Sequence, residues 1–464
     1  MDRLLIVSAD GHAVMPSELW PEYVEERFHP YLEKLAREGS LYSRMMQSLA
    51  DMKLPADILA QFDPTGARAA EKWRGVWDAD VRLAEMDREG IAAEFVFHGD
   101  HRSCDIFYSV FNGTYTYAAV DAGMRAYGRW AFDTFGGHTD RLLMISPVGA
   151  CLEIDATIAH VHWLKEHEFI GQYLPGYVAY PGQPPLYDPY WDPLWATYQD
   201  LDMTLVIHGG YGAPQGQGFG DIIAAEARVS AAGGSDKDLA VELSQKVLRG
   251  DFFNDLRCRQ AMWQLMLGGV FDRFPRLRVM ETEVRADWIP ALLKLLDGIW
   301  EHNRDWLPAK MRPSEYWAQN WMAGVSFMRR SEIAMRKEIG VERIAFGRDF
   351  PHLESTWPNT PEFLHGLFTG VPELETRAIL GGNLIRYLGL ERERLERIAA
   401  RIGPSLEAVT GAGPDLDEDL LQHLDTRCGY RVAAEGERRV GEMEAMLKPD
   451  LPRIRRAAAA LALA

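Results

Sequence analysis

Four side chains of metal-ligating type follow short apolar runs of the sequence. They are Asp10, His12, His208 and Asp349. Asp10 and His12 are two residues apart, so an extended backbone turns their side chains to the same side. Two imidazoles and two carboxylates make a nitrogen and oxygen donor set of the kind that holds Zn, Fe or Mn. A fold that brings the four together would therefore create a divalent metal site.

Eight apolar, β-rich runs alternate with segments of helical periodicity, and these elements must position the four side chains. The runs are Leu4–Ala9, Ala92–Phe97, Leu142–Val148, Phe169–Leu174, Thr204–Ile207, Leu277–Met280, Met322–Phe327 and Arg343–Phe346. Because parallel strands need crossover helices, this alternation predicts an α/β fold, the (β/α)8 TIM barrel. An open doubly wound sheet is the competing fold. It would carry a glycine-rich phosphate loop after the first strand, where Asp10-Gly11-His12-Ala13 stands instead.

In such a barrel the carboxyl ends of all the strands open on one face, where active sites form. Each of the four ligand-type residues follows the end of a predicted strand. The barrel therefore predicts that the four side chains converge on this face.

We predict the barrel over residues 1–392, and two segments are additional to a minimal (β/α)8 barrel. Residues 17–75 form a helical insertion after the first strand, which either covers the site or only packs against the barrel. Residues 393–464 form a helical C-terminal extension. Its end, Ala457–Ala464, is typical of a helix that packs or mediates oligomerisation, and we predict a homodimer.

Composition and charge exclude several classes of partner. The 464 residues include 50 Lys and Arg against 68 Asp and Glu, a net charge of −18. Nucleic-acid binding needs clustered basic residues, and a membrane span needs about 18 apolar residues in a row, so we predict neither partner. Four scattered cysteines and the lack of a long apolar segment at the N-terminus predict a cytoplasmic protein. As partner we predict a small-molecule substrate.

Ordered motifs along residues 4–392 resemble the amidohydrolase-related family of metal-dependent TIM-barrel hydrolases and aromatic-acid decarboxylases. The motifs are Ser8-Ala9-Asp10-Gly11-His12, Arg82-Leu83-Ala84-Glu85-Met86-Asp87, Tyr187-Asp188-Pro189-Tyr190-Trp191, Val206-Ile207-His208-Gly209-Gly210, Phe346-Gly347-Arg348-Asp349-Phe350-Pro351-His352 and Asn383-Leu384-Ile385-Arg386-Tyr387. Several motifs in the same order are more specific than any one of them.

The resemblance implies a divalent metal, Zn or Fe/Mn, held by Asp10, His12, His208 and Asp349, with one ion per chain and two as the alternative. It also implies that Asp349 takes a proton from metal-bound water. Glu283 is expected as a further ligand, a bridge to a second metal or a general base, and otherwise as a structural carboxylate. His352, three residues after Asp349, is expected to orient that carboxylate or to assist catalysis.

Four further residues are candidates for substrate binding: His98, Arg285, Arg348 and Trp20. Arginines bind carboxylate or phosphate groups through paired hydrogen bonds, although both could equally form internal salt bridges. Trp20 either lines an apolar pocket or belongs to the core. The segment His98-Gly99-Asp100-His101 is rich in ligand-type residues, so His98 either contacts substrate or holds a second metal together with Glu283.

The sequence favours a metal-dependent hydrolase, in which metal-activated water attacks an amide, ester, lactone or thioester carbonyl. The alternative is a metal-dependent non-oxidative decarboxylase of an aromatic or unsaturated acid. Met15, where many family members carry Glu, and the lack of a histidine after the sixth strand favour hydrolysis. A binding or scaffold protein is the third interpretation, but it would not need the four ligands.

Overall fold

The computed structural model describes residues 3–53, 63, 65–99, 107, 113–212, 217–239, 241–242, 257–326, 328–352, 355–412 and 440–461. Asp100 and His101 of the ligand-rich segment, Phe327 of the seventh predicted strand and the last residues of the predicted terminal helix lie outside these ranges.

Eight parallel strands form the barrel, and the prediction of a (β/α)8 fold is confirmed. They are β1 Ile6–Ser8, β2 Ile91–His98, β3 Leu142–Ser146, β4 Gly171–Tyr173, β5 Thr204–Ile207, β6 Arg278–Thr282, β7 Trp321–Ser326 and β8 Ile344–Gly347. Each strand pairs with the next one along the chain. A hydrogen bond of 2.8 Å from the Ala9 amide to the Phe346 carbonyl joins β1 to β8.

The strands are apolar because both of their faces are covered. Nearly all of their residues are buried, as expected where helices surround the sheet and side chains fill its interior. A two-residue strand, His12–Ala13, continues past β1 and pairs with the end of β2. This extension keeps His12 in ordered backbone at the carboxyl end of the barrel.

Helices connect the strands and extend the chain at both ends. They are α1 Trp20–Tyr23, α2 Leu32–Lys53, α3 Ala79–Glu89, α4 Tyr117–Phe135, α5 Ile154–Glu166, α6 Asp192–Asp200, α7 Gln217–Ala231, α8 Arg257–Leu267, α9 Val270–Arg273, α10 Ile289–Asn303, α11 Pro313–Asn320, α12 Arg330–Ala334, α13 Arg336–Ile339, α14 Thr360–Phe368, α15 Glu373–Arg377, α16 Asn383–Leu388, α17 Arg392–Ile402, α18 Leu406–Thr410 and α19 Val440–Leu461. A π-helical turn, Ala378–Gly382, joins α15 to α16. None of the helices described here is both long and apolar enough to cross a lipid bilayer.

The end of the insertion, around Val76, packs against the loop that follows β8. Val14 and Val76 form a small apolar cluster with Phe350 and Trp357, and the Val14 amide donates to the Val76 carbonyl at 3.0 Å. Phe350 is the neighbour of Asp349 in the chain, so the insertion supports the loop that carries this candidate ligand.

The C-terminal helix α19 packs on α8 through a buried carboxylate. Asp450, only 1% exposed, accepts hydrogen bonds from Trp263 Nε1 at 2.9 Å, Gln260 Nε2 at 3.0 Å and Gln264 Nε2 at 3.2 Å. Met443 is buried on the same helix. The described part of the C-terminal extension therefore packs within its own chain.

Four charged side chains, Arg82, Glu89, Glu94 and Arg348, form a fully buried network beneath the carboxyl end of the barrel. Both arginines bind Glu94, Arg82 Nη2 at 2.9 Å and Arg348 Nε at 2.7 Å, and Arg348 Nη1 also donates to Glu89 at 2.8 Å. Two guanidinium groups against two carboxylates leave the network without net charge. Such a network is tolerated in the core because each charge has a partner.

We expect Arg348→Met to lower the free energy of unfolding by about 3–5 kcal/mol, because Glu89 loses its buried guanidinium partner and Glu94 keeps only Arg82. Arg276→Met is the matched control: its pair with Asp200 lies on the surface, so the change should be below about 1 kcal/mol. Urea unfolding followed by fluorescence measures both. Equal stability of the two variants would contradict the structural importance of the network.

Candidate metal centre

The four predicted ligands meet at the carboxyl end of the barrel, and all are buried. His12 Nε2 lies 3.5 Å from Asp10 Oδ1 and 3.1 Å from Asp349 Oδ1. His208 Nε2 approaches the same Asp10 oxygen from the other side, at 3.5 Å. Three elements that are distant in sequence thus place their donor atoms around one point. They are the end of β1, the end of β5 and the loop after β8.

The protonation of His12 is set by the neighbouring strand. Its Nδ1 lies 3.1 Å from the carbonyl oxygen of His98, which can only accept a hydrogen bond, so Nδ1 carries the proton. Nε2 then carries no proton, and a neutral imidazole binds a metal through the free lone pair of such a nitrogen. Burial and the neighbouring His352 and His208 lower the pKa of His12 well below its ordinary value, which keeps the ring neutral.

His208 is oriented in the same way, by Glu283. The Glu283 carboxylate lies 3.1 Å from His208 Nδ1, so this nitrogen donates and Nε2 faces Asp10. Burial alone would lower the pKa of His208, but the carboxylates of Glu283 and Asp10 raise it. Gly209 makes the contact possible, because a Cβ at that position would collide with the Glu283 carboxylate.

Asp349 is held in a backbone conformation that side chains rarely adopt. Its φ is +60°, and its amide donates to the Asp10 carbonyl at 3.1 Å. The His352 Nδ1 atom lies 3.1 Å from Asp349 Oδ1, and the His352 ring stacks on His12 with centroids 3.9 Å apart. Backbone of this kind is retained where the surroundings fix it, often at functional sites.

The donor atoms fit a divalent cation. Asp10 Oδ1, His12 Nε2 and His208 Nε2 are buried, and none has a hydrogen-bond partner among the described residues. The unprotonated Nε2 of His12 and the oxygens of Asp10 and Asp349 repel one another at these distances unless a positive charge lies between them. Two groups of residues could each hold a metal ion: Asp10, His12 and His208 form one, and His12, Asp349 and His352 form the other. Within each group the potential ligand atoms lie within 4.8 Å of one another, and His12 belongs to both groups. One cation at this point would neutralise both.

Glu283 contacts His208 on the side of the ring that faces away from Asp10. Its carboxylate contacts the far nitrogen of His208, and neither of the two ligand groups in the described part of the chain includes Glu283 or His98. We therefore predict that Glu283 positions His208. The remaining part of the proposed second metal site, Asp100 and His101, lies outside the described residues.

Aromatic rings enclose the imidazoles on one side of the site. This aromatic wall consists of Phe97, Tyr173 and Tyr177. The ring centroid of His208 lies 4.8 Å from that of Phe97 and 5.9 Å from that of Tyr173, which stacks on Tyr177 at 4.6 Å. The candidate substrate residue His98 packs edge-on against Tyr173 at 5.1 Å, and burial and the nearby His208 lower its pKa to about 3. His98 is therefore a neutral side chain beside the wall.

Three candidate substrate residues are engaged within the protein. Arg348 is fully buried with its guanidinium on Glu89 and Glu94, so the internal salt bridge, not the substrate contact, is the correct interpretation. Arg285 is 3% exposed and binds Asp287 at 2.8 Å. Trp20 is 2% exposed and packs edge-on against Phe107, as a core residue does.

The sequence did not single out three residues that support the candidate ligands, two of them by direct hydrogen bonds and Glu94 through Arg82, which donates to the His12 carbonyl. The Ser326 hydroxyl at the end of β7 donates to Asp10 Oδ2, and the Tyr177 hydroxyl donates to the His208 carbonyl at 2.9 Å. Glu94 is the only acidic residue in the apolar run of β2, and a single acid in such a run indicates a buried carboxylate that needs a charged partner. Nothing local marks Tyr177, because its loop is far from His208 in sequence.

Comparisons with known proteins show the family and the fold of the chain. The family profile described as Amidohydrolase matches residues 18–390. No curated protein matches the chain. Among solved structures, an amidohydrolase from Mycobacterium avium subsp. paratuberculosis K-10 is 17% identical, with a TM-score of 0.57 over 84% of this chain and 99% of that one.

Two further solved structures have the same barrel fold. The 5-carboxyvanillate decarboxylase from Sphingomonas paucimobilis is 16% identical, with a TM-score of 0.50 over 84% of this chain and all (100%) of that one. The dihydroxybenzoic acid decarboxylase from Polaromonas sp. JS666, solved with manganese and the inhibitor 2-nitroresorcinol, is 17% identical, with a TM-score of 0.50 over 84% of this chain and 98% of that one. At these identities the likeness shows the fold.

We expect about one metal ion per chain, because the two ligand groups share His12. Elemental analysis of the dialysed protein measures this value. His12→Ala should lose the metal, whereas His302→Ala, on the exposed side of α10, should keep it. A value near two ions per chain would contradict the single centre.

We expect Glu283→Ala to weaken metal binding about 10–100-fold, because His208 loses the acceptor that orients its ring. Glu283→Gln keeps an acceptor oxygen and should recover most of the affinity. Chelator competition measures the dissociation constants, with the exposed Glu301→Gln as control. If Gln binds metal as poorly as Ala, the carboxylate charge itself is needed and Glu283 is a ligand.

Proposed function

The chain belongs to the amidohydrolase family, and from this premise we propose that it is a metal-dependent, non-oxidative decarboxylase of an aromatic carboxylic acid. The sequence alone favoured hydrolysis. Two features of the site favour the alternative: the aromatic wall beside His208, and the engagement of Glu283 with His208, which removes one candidate general base.

The aromatic wall carries the proposal. Within the wall, Phe97 and Tyr173 are buried, whereas Tyr177 keeps 8% of its surface exposed. A flat aromatic substrate would therefore pack against Tyr177, with Tyr173 stacked behind it, since offset and edge-on ring contacts are favourable beyond the area that they bury. The carboxyl-bearing ring carbon would take up a proton first, and the electron pair of the breaking carbon–carbon bond would then restore the aromatic ring as CO2 leaves. An aromatic acid whose ring oxygens donate electrons suits this reaction. The wall therefore suits the substrate class that this reaction needs.

The pair Asp349 and His352 would move the proton. The ring carbon takes up one proton, and CO2 leaves when the bond to the carboxyl carbon breaks. The Asp349 carboxylate, 3.1 Å from His352 Nδ1, is at hydrogen-bond distance from a group that can resupply that proton. The neighbouring His12 stacks on His352 and holds it in place.

Asp10, His12, His208 and Asp349 would hold the divalent ion. When bound, it would supply a positive charge that fixes the substrate carboxylate and any neighbouring ring oxygen. The donor set suits Mn, Zn or Fe, and the structural neighbour from Polaromonas contains manganese. We propose manganese as the first metal to test. The homodimer and the cytoplasmic location remain predictions from the sequence.

Hydrolysis is the second candidate, and the position of Asp349 favours it. Its carboxylate lies within the ligand group and also contacts His352, so it could take a proton from water bound at the centre. The two candidates differ in the product that each releases, so one assay separates them.

The manganese-loaded protein should release CO2 from 2-hydroxybenzoates that carry further ring hydroxyls, and should leave esters, lactones and thioesters intact. We expect Asp349→Asn to lower the rate about 100-fold or more, because proton transfer is lost. The exposed Asp200→Asn is the matched control and should keep full activity. CO2 electrode readings and acid release from the ester panel measure the two reactions. Ester hydrolysis without CO2 would replace this proposal by the second candidate.

A further inference from the structure

We propose that a cleft at the amino-terminal face of the barrel binds a small organic anion, a phosphomonoester or dicarboxylate with an apolar part. The cleft has a volume of about 350 Å³ and reaches Leu5, the residue before β1. The metal ligands follow the opposite ends of the strands, so this site is separate from the metal centre. Its volume is within the range of small-molecule sites, roughly 300–1,000 Å³.

The charge of the cleft is opposite to that of the chain. Arg3, Arg377 and Arg392 line it together with the single carboxylate of Glu396. Arg377 also pairs with Glu373 at 2.7 Å, so the lining and this partner together carry a net charge of +1. The whole chain has a net charge of −18. Guanidinium groups bind phosphate and carboxylate through pairs of N–H groups, so this lining favours an oxyanion.

The arginines are partly held in place by the fold. Arg3 Nη1 donates to the Gly403 carbonyl at 2.8 Å, and Arg377 Nη1 donates to the Arg3 carbonyl at 3.0 Å. Arg392 lies 3.5 Å from Glu396. Within the described residues, the other N–H groups of Arg3 and Arg392 make no hydrogen bond, so donors remain for a ligand. Side chains that are already positioned lose less entropy when they bind.

An unusual turn forms one wall of the cleft. Gly382 belongs to the π-helical turn Ala378–Gly382, a rare conformation that is frequent at functional sites. Its neighbour Gly381 has no Cβ and so can approach the Leu5 carbonyl closely. Ile385 and Ala399 add apolar surface beside the arginines. The cleft thus offers an apolar wall and a cationic rim, which is the reason that we assign it an anion with an apolar part.

Calorimetric titration of the metal-loaded protein with butyl phosphate and, separately, with adipate tests the proposal and distinguishes a phosphomonoester from a dicarboxylate, and neither probe has the aromatic ring of the proposed substrate. We expect one site per chain for at least one probe, and weaker binding of inorganic phosphate, which has no apolar part. Arg392→Gln and Arg3→Gln should each weaken binding about tenfold or more, because a charge-assisted hydrogen bond is lost.

Two controls locate the bound anion. Arg397→Gln makes the same charge change on α17, outside the cleft, and should bind as the parent does. Asp349→Asn alters the metal centre and should also keep the binding. The proposal is overturned if neither probe binds, if both cleft variants bind normally, or if Asp349→Asn abolishes binding, which would place the anion at the metal centre. Unfolding midpoints equal to that of the parent show that the arginine variants are folded.

Discussion

The buried pairing of Arg348 and Arg82 with Glu94 is the interaction on which the rest of the site depends. It joins the strand β2, the helix α3 and the end of β8 at one point in the core. Arg82 also donates to the His12 carbonyl, and the Arg348 amide donates to Ser8 Oγ at 2.9 Å. These bonds fix the backbone on both sides of the seam where the barrel closes. Because isolated charges are costly in the core, the residues can satisfy one another in few other arrangements.

Closure at this seam decides where the candidate metal ligands lie. Asp10 and His12 follow β1, Asp349 follows β8, and the Asp349 amide bonds directly to the Asp10 carbonyl. The positive φ of Asp349 then turns its carboxylate towards His12. Glu283, which also has a positive φ, reaches His208 across the space that Gly209 leaves open. The ligands therefore owe their geometry to backbone that the surrounding packing holds in an uncommon conformation.

The sequence predicted the elements and the ligands but not the contacts between them. Alternating apolar runs predict strands because period and burial are local properties, and the end of a strand marks the face on which Asp10 and His208 lie. The partner of Arg348 depends on register across a seam between residues hundreds of positions apart, so the sequence left substrate and salt bridge as equal alternatives. The sequence also left the role of Glu283 open, because a carboxylate can be a metal ligand, a base or a structural group. Only the structure shows that its carboxylate contacts His208 Nδ1.

The negative charge of the chain has different consequences at the two faces of the barrel. At the carboxyl face, Asp10, Asp349 and Glu283 surround the imidazoles, while the network beneath them is neutral as a whole. The carboxylate substrate that we propose would be repelled there unless the candidate ligands held a cation, so its binding would require the metal. At the amino face, the cleft carries its own positive charge from arginine side chains. An anion can therefore bind there whether or not the metal centre is loaded. Substrate binding at the carboxyl face would depend on the metal ion, whereas anion binding at the amino face would not.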